Sequence, residues 1–513
     1  MHINLGRMTK LLFKLWLGVL AISMSFVMKE LERPELDGQN LAQKYCNSCH
    51  LVPKPGDLDK KSWSQYVLPR MGKFMQIVPI EPDDDMYDKR DVKELKRRGI
   101  LMDYSSLSKD EWTAIKEYYI SNAPEKLPGH KIDRLETILH FKPIFAPYYF
   151  NPPSTTLVNI ESHSIWAADA HSKTIYQMDK NLEIVQSQKF NSLTAVCMNA
   201  TEGGNYVTFM GSFTPTDDPS GEVFFYPKNN LKLGYSVIKN LRRPVNTQMM
   251  DMNKDGLSDM VISEFGKWLG QLSVHYDTGN GQFRSMVLDK KPGCLGTQIF
   301  DFDGNGYPDI MALFAQGDEQ IRIYYNDKNG EFIQKTLLRF PPSYGSSGIK
   351  IHDFNKDGLM DIMYFNGDLA DFPIDAKHYQ GIRIYINHDK DIFNEQLFLP
   401  MSGVYGASIG DFDQDGDDDI AAISFFPNFN AVGNNSFCLF IKDGMKFTTK
   451  TFIGSDVGRW IMIDEGDFDK DGDIDLVLGN LIMELPGQED RVDAWSKNGL
   501  PFLILENTII KKL

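Results

Sequence analysis

Cysteine is scarce in this chain, with five among 513 residues. So few thiols argue against a disulfide framework as the source of stability. Cys197, Cys294 and Cys438 are widely spaced and mostly in apolar contexts, as expected of buried free thiols. No cysteine follows the apolar run near the N-terminus, which argues against a lipoprotein anchor. No basic patch is present either, so the sequence offers nucleic acid no contact surface. The apolar share of 42% and the charged share of 24% suit a soluble globular protein rather than a disordered or membrane-embedded one. The length implies two or more domains.

The N-terminal segment departs from this average. Arg7, Lys10 and Lys14 precede an apolar stretch from Leu15 to Met28. Residues 1–28 therefore read as a signal peptide or N-terminal anchor, with Ala21-Ile22-Ser23 or Ser23-Met24-Ser25 as cleavage candidates. The stretch from Leu11 contains Lys14 and is marginal for a bilayer span. Either reading exports the rest of the chain to the periplasm or the extracellular space.

Two of the cysteines form Cys46-Asn47-Ser48-Cys49-His50. In C-x-x-C-H, two thiols a helical turn apart reach the two vinyl groups of one haem, and the adjacent imidazole ligates the iron. A zinc half-site needs a second cysteine pair and a redox dithiol needs a βαβ context; neither is evident. Gly38–Tyr45 reads as a helix running into the motif. Ser108-Lys109-Asp110-Glu111 reads as a capping box for a helix carrying Trp112, Ile115, Tyr118 and Tyr119. No histidine lies between His50 and His130, so the sixth iron ligand is expected to be a methionine from Met71, Met75, Met86 and Met102. Segment 83–98, rich in Asp, Lys and Arg, reads as a solvated loop and helix.

Residues 35–125 with these features resemble a class I cytochrome c domain, an all-α fold whose first and last helices cross where a small residue meets an aromatic. The resemblance makes Met71, at the end of Trp63-Ser64-Gln65-Tyr66-Val67-Leu68-Pro69-Arg70-Met71, the favoured axial ligand, with Met75 next. It implies that a proline after the haem histidine, Pro53 or Pro55, lends its carbonyl to the histidine N–H.

Beyond a linker at 126–135 the pattern changes to short β-type runs, and one motif recurs five times. Its ligand-type positions are Asp251, Asn253, Asp255 and Asp259; Asp301, Asp303, Asn305 and Asp309; Asp353, Asn355, Asp357 and Asp361; Asp411, Asp413, Asp415 and Asp419; and Asp467, Asp469, Asp471 and Asp475. Alternate oxygen side chains at positions 1, 3 and 5 converge on one hard cation, glycine at position 6 makes the turn, and position 7 offers its carbonyl. An EF-hand is excluded, because position 12 is Ile262, Ala312, Tyr364, Ala422 or Leu478 rather than glutamate. Each loop runs directly into an apolar strand, so about five Ca2+ are expected in β-hairpin turns.

These repeats resemble the FG-GAP/VCBS family of integrin-like β-propeller blades. The resemblance implies roughly four strands per unit, with the loop joining the first two. An apolar-aromatic strand such as Ile321–Asn326 or Ile382–Asn387 is expected to close each unit. Two units without metal loops, Thr156–Val185 and Leu193–Ile238, bring the total to seven blades over 136–513. The fold expected is thus a small all-α cytochrome c domain followed by an all-β, seven-bladed propeller. The loop positions hold 17 aspartates against a net charge of −16, so the acidity is explained by cation ligands and does not point to a basic partner.

Three functions follow from this layout. One is a monohaem electron carrier whose propeller docks a periplasmic or membrane redox partner protein, or a surface polysaccharide. Another is a haem-linked oxidoreductase with its active site on the propeller, although no catalytic constellation is recognisable apart from the loops. The third is a carbohydrate-binding propeller. The first is favoured, because a covalent haem has a use only there and in the second.

Overall fold

The computed structural model describes residues 36–80, 89–101, 105–129, 135–161, 163–191, 194–228, 230–370, 377–429, 435–444 and 446–509. The 1–28 segment, Met86 and Met102 lie outside these residues. No helix among the described residues is long and apolar enough to cross a membrane.

Seven four-stranded antiparallel units form a seven-bladed β-propeller. Blades 1 to 7 span 155–189, 195–241, 244–289, 294–339, 346–400, 404–451 and 460–507. Every residue of the second strands Asp259–Glu264, Asp309–Phe314, Asp361–Asn366, Asp419–Ser424 and Asp475–Asn480 is buried. Strands packed on both faces against neighbouring blades read as continuous apolar runs, which is what these sequences show. The outer strand Phe332–Arg339 is largely exposed and correspondingly polar. The expected closing strands, Ile321–Asn326 and Ile382–Asn387, are instead third strands; Phe332–Arg339 and Ile392–Pro400 lie outside them. Their apolar character comes from that inner position.

The ring is closed by a strand from the start of the domain. Phe141–Phe145 forms the outer edge of blade 7, antiparallel to Phe502–Asn507 with Phe141 opposite Asn507. Glu136–Thr137 adds a parallel fifth strand to blade 6 beside Lys446–Thr451.

The helices before residue 123 pack around their own core of Ala42, Leu58, Trp63, Leu68, Leu107, Trp112, Ile115 and Tyr119. Helix Gly38–Cys46 starts at Asp37, whose carboxylate accepts the N–H groups of Gln39 and Asn40. It crosses helix Lys109–Asn122, which carries the expected Ser108–Glu111 capping box. At the crossing a Cβ on Gly38 would stand 2.2 Å from the Ala114 carbonyl oxygen, so only glycine permits this approach. Between them, Trp63–Val67 forms a π-helical turn that continues into helix Leu68–Phe74.

This helical unit rests on one end of the propeller. Lys267 Nζ pairs with Asp91 at 2.9 Å, and Trp268 packs with Leu95, Leu101, Phe74 and Val92. The Tyr379 hydroxyl donates to the Asp57 carbonyl at 2.7 Å. Lys267, Trp268 and Tyr379 all lie in connections between second and third strands. The five acidic loops join first to second strands and therefore occupy the opposite end.

Candidate functional site

The Cys46–His50 segment continues the first helix by one turn, with the N–H groups of Cys49 and His50 both directed to the Cys46 carbonyl. Cys46 is half-buried, Cys49 exposed and His50 half-buried. Burial pushes the Cys46 thiol up to about 11, with Cys49 adding to the rise. His50 Nδ1 lies 3.0 Å from the Leu51 carbonyl, which leaves Nε2 as the outward nitrogen. Burial also holds the imidazole below its ordinary pKa and so keeps it neutral, the form that ligates metals. The expectation that a proline carbonyl fixes this ring is corrected. Pro53 gives its carbonyl to the Tyr119 hydroxyl at 3.0 Å and Pro55 to the Trp63 indole at 2.8 Å, so Leu51 takes over the role.

Beside this turn, Tyr45, Cys46, Val52, Val67, Met71, Met75 and Ile77 pack on the helical core while keeping part of their surface open. Cys46 thus shares its supporting core with the sequence-predicted Met71 and Met75. Met71 lies in the last turn of Leu68–Phe74 and Met75 at its C-cap. Both pack on the same helical core, and the packing does not choose between them.

The acidic loops repeat one geometry. In the loop at 301–309, Asp301 accepts the N–H groups of Asn305 at 3.0 Å and Gly306 at 2.8 Å. Asp309 accepts Phe302 N–H at 2.9 Å and Asn326 N–H, on the third strand, at 2.8 Å. The pattern recurs at Asp251 and Asp259, Asp353 and Asp361, and Asp411 and Asp419. In the loop at 467–475 Asp475 keeps its bonds, but Asp467 accepts only the Gly472 N–H, and the Asp471 N–H turns to Asp469 instead. Glycine at position 6 has φ near +90° each time, as at Gly306 and Gly358, a conformation that side chains oppose.

In three loops the carboxylates of positions 1, 3 and 9 come within 4.8 Å of one another: Asp301, Asp303 and Asp309; Asp411, Asp413 and Asp419; Asp467, Asp469 and Asp475. The other two loops carry Asn253 and Asn355 at position 3, where the amide oxygen accepts the N–H of Asp255 or Asp357. The position-9 aspartates are fully buried. Burial pushes Asp309 and Asp475 up to about 6 and Asp419 to about 7, which a bound cation would reverse. A buried, unpartnered oxygen remains at Asp467 Oδ1. The donor set is all oxygen and suits a hard divalent ion.

Sequence reasoning overlooked Asp473. It stands at position 7 of the last loop, where the motif asks only for a backbone carbonyl. It is 5% exposed, and neither carboxylate oxygen has a hydrogen-bond partner. Burial first, then Asp471 and Asp475, push it up to about 8. An aspartate immediately after Gly472 was the available signal. The histidines outside Cys46–His50 are held structurally where contacts are present: His275 bridges Ser273 and Ser285, and His352 contacts Asp418.

A family profile described as an FG-GAP-like repeat matches residues 251–312 and 301–364. No curated protein matches the chain. Among solved structures, the N-terminal domain of Nup159 is similar, with 10% identity and a TM-score of 0.42 over 74% of this chain and 99% of that one. A luciferin-regenerating enzyme aligns with 10% identity and a TM-score of 0.37 over 61% of this chain and 98% of that one. With the repeat match and the seven sheets together, the chain carries FG-GAP repeats on a seven-bladed β-propeller.

Proposed function

We propose that this protein is an exported monohaem c-type cytochrome that passes single electrons, with a calcium-braced propeller as its docking platform. The observation that carries this reading is the turn at Cys46–His50. It offers two thiols and an imidazole whose Nδ1 is held by Leu51, in a helical unit whose core also packs Met71 and Met75. A haem bound there supplies one-electron chemistry. The chain's own part would be to fix the ring of His50 and to offer a thioether from Met71 or Met75. The basic and apolar N-terminal segment supports export, which the covalent attachment of such a group requires. The all-oxygen loops support about five Ca2+ in a bracing role. The partner is a periplasmic or membrane redox protein, or a surface polysaccharide, held by the propeller.

Replacing both Cys46 and Cys49 by alanine tests the reading. The wild type should keep a peroxidase-type haem stain in a denaturing gel and the double variant should lose it. A stain that survives the substitution, or that the wild type produced with its export machinery never shows, refutes the proposal.

A further inference from the structure

Several tyrosine hydroxyls of the propeller meet carboxylates, and one of them stands apart. Asp289, which accepts the Tyr324 hydroxyl, also holds Arg322. Asp391 accepts Tyr325 and holds Lys335; Glu395 accepts Tyr385 and holds Arg383. A carboxylate paired with a cation is a weak base. Tyr364 reaches a carboxylate of another kind, and through a relay. Ser346 Oγ donates to Glu319 Oε2 and lies 2.7 Å from the Tyr364 hydroxyl. The serine has one hydroxyl proton and gives it to the carboxylate, so Tyr364 is the donor to the serine. Tyr364 is fully buried, and Ser346 and Glu319 nearly so. Glu319 is bound by the N–H groups of Gly345 and Ser346 and not by a cation; Lys377 bears on it while donating to the Ser343 carbonyl. Burial pushes Glu319 up to about 7, which makes it a competent base near neutral pH.

An aromatic stack leads to this triad. The Tyr364 ring lies on Phe340, with centroids 4.0 Å and planes 8° apart. Phe340 stacks on Tyr344 at 6.1 Å, and Tyr344 on Tyr379 at 4.9 Å. Tyr344 is partly exposed, and the Tyr379 hydroxyl reaches the Asp57 carbonyl of the helical unit. The stack therefore runs from the contact between the two units into the propeller core. Among the described residues the Tyr379 hydroxyl meets only the Asp57 and Ser343 carbonyls, which do not take up a proton.

We propose that Tyr364 is a redox-active tyrosine, a sink for oxidising equivalents that arrive along this stack. A diffusible one-electron oxidant, of the carbonate-radical or peroxyl-radical class, removes an electron from the stack and is itself reduced. The vacancy settles on Tyr364, because there the phenolic proton has a base to go to. The Tyr364 O–H bond breaks as its proton passes to Ser346 Oγ, while the Ser346 proton passes to Glu319 Oε2. A neutral phenoxyl radical and a neutral carboxylic acid result, so no positive charge is left in the core. A thiolate returns the electron, becoming a thiyl radical, and the protons retrace the relay. None of these steps requires a haem.

The test oxidises the full chain by flash photolysis of tris(bipyridine)ruthenium(II) with persulfate. Phenoxyl radicals are followed by electron paramagnetic resonance and optical absorption. Wild type should show a long-lived phenoxyl signal, and Tyr364→Phe only the short-lived radicals of exposed tyrosines. The wild-type yield should fall as pH drops below about 7, because a protonated Glu319 accepts nothing. Glu319→Gln, which keeps the ring and the stack, should lose the long-lived signal at every pH. Ser346→Ala should lose it too, and stands in where Tyr364→Phe does not fold. A wild type without a long-lived signal, or with one that ignores pH, overturns the proposal. So does a long-lived signal that any of the three variants retains.

Discussion

Withdrawing calcium should lower the unfolding temperature of the propeller by a calculable amount. Loops with this ligand set in extracellular modules bind on the order of 10⁻⁴–10⁻³ M. At about 10 mM free calcium each site would be about 10–100 times above its dissociation constant, a stabilisation of about 1.4–2.7 kcal/mol per site. Five independent sites would sum to about 7–14 kcal/mol. The unfolding entropy of a domain this size is roughly 0.8 kcal/mol per degree, so the shift should be about 9–18 °C. Differential scanning calorimetry of the full chain, in calcium and in excess EGTA, reads this directly. The loops with three clustered carboxylates, at 301–309, 411–419 and 467–475, should supply most of it. A shift below about 1.5 °C would leave less than one such site's worth of stabilisation and would refute the metal assignment.

The remaining predictions concern single residues. Gly38→Ala places a methyl 2.2 Å from the Ala114 carbonyl oxygen and 2.7 Å from Tyr118 Cβ. It should cost the helical unit about 1–3 kcal/mol, visible as faster hydrogen exchange across 109–122; unchanged protection would show that the helices can separate freely. Glu319 is buried beneath the N–H groups of Gly345 and Ser346 and the Ser346 hydroxyl, and burial raises it from 4.5 to about 7. A carboxyl with a raised folded pKa contributes stability that is present below pH 4.5 and lost as pH rises through 7. Between about pH 5 and 8 the wild type should therefore lose up to about 3 kcal/mol that Glu319→Gln does not lose. Urea denaturation at both pH values measures the difference, and parallel profiles would contradict it.

The parts legible in the sequence were those encoded by neighbouring residues. Asp301 to Asp309 announce their loop because each side chain bonds an N–H two to seven residues away. The two degenerate blades showed through strands such as Ser164–Asp169, whose burial is almost complete. The outer strands were misplaced because their polar faces carry little pattern, as in Phe332–Arg339. Ring closure by Phe141–Phe145 was invisible, since its partner lies more than 360 residues away, as the Lys142–Glu506 pair shows. The seating of the helical unit also depends on distant contacts, Lys267 with Asp91 and Tyr379 with Asp57. The Leu51 carbonyl at His50 Nδ1, where a proline was expected, reflects the local course of the chain and not its composition.

The closing strand sets an order of events in the life of the chain. Phe141–Phe145 leaves the ribosome early, and its partner Phe502–Asn507 leaves more than 360 residues later. At ordinary elongation rates that is a wait of roughly 20–70 s. Throughout it the first edge of the propeller stays unmatched. The circle becomes a circle only when the two ends of its own thread meet, and pulling either end open should be the first step of its undoing.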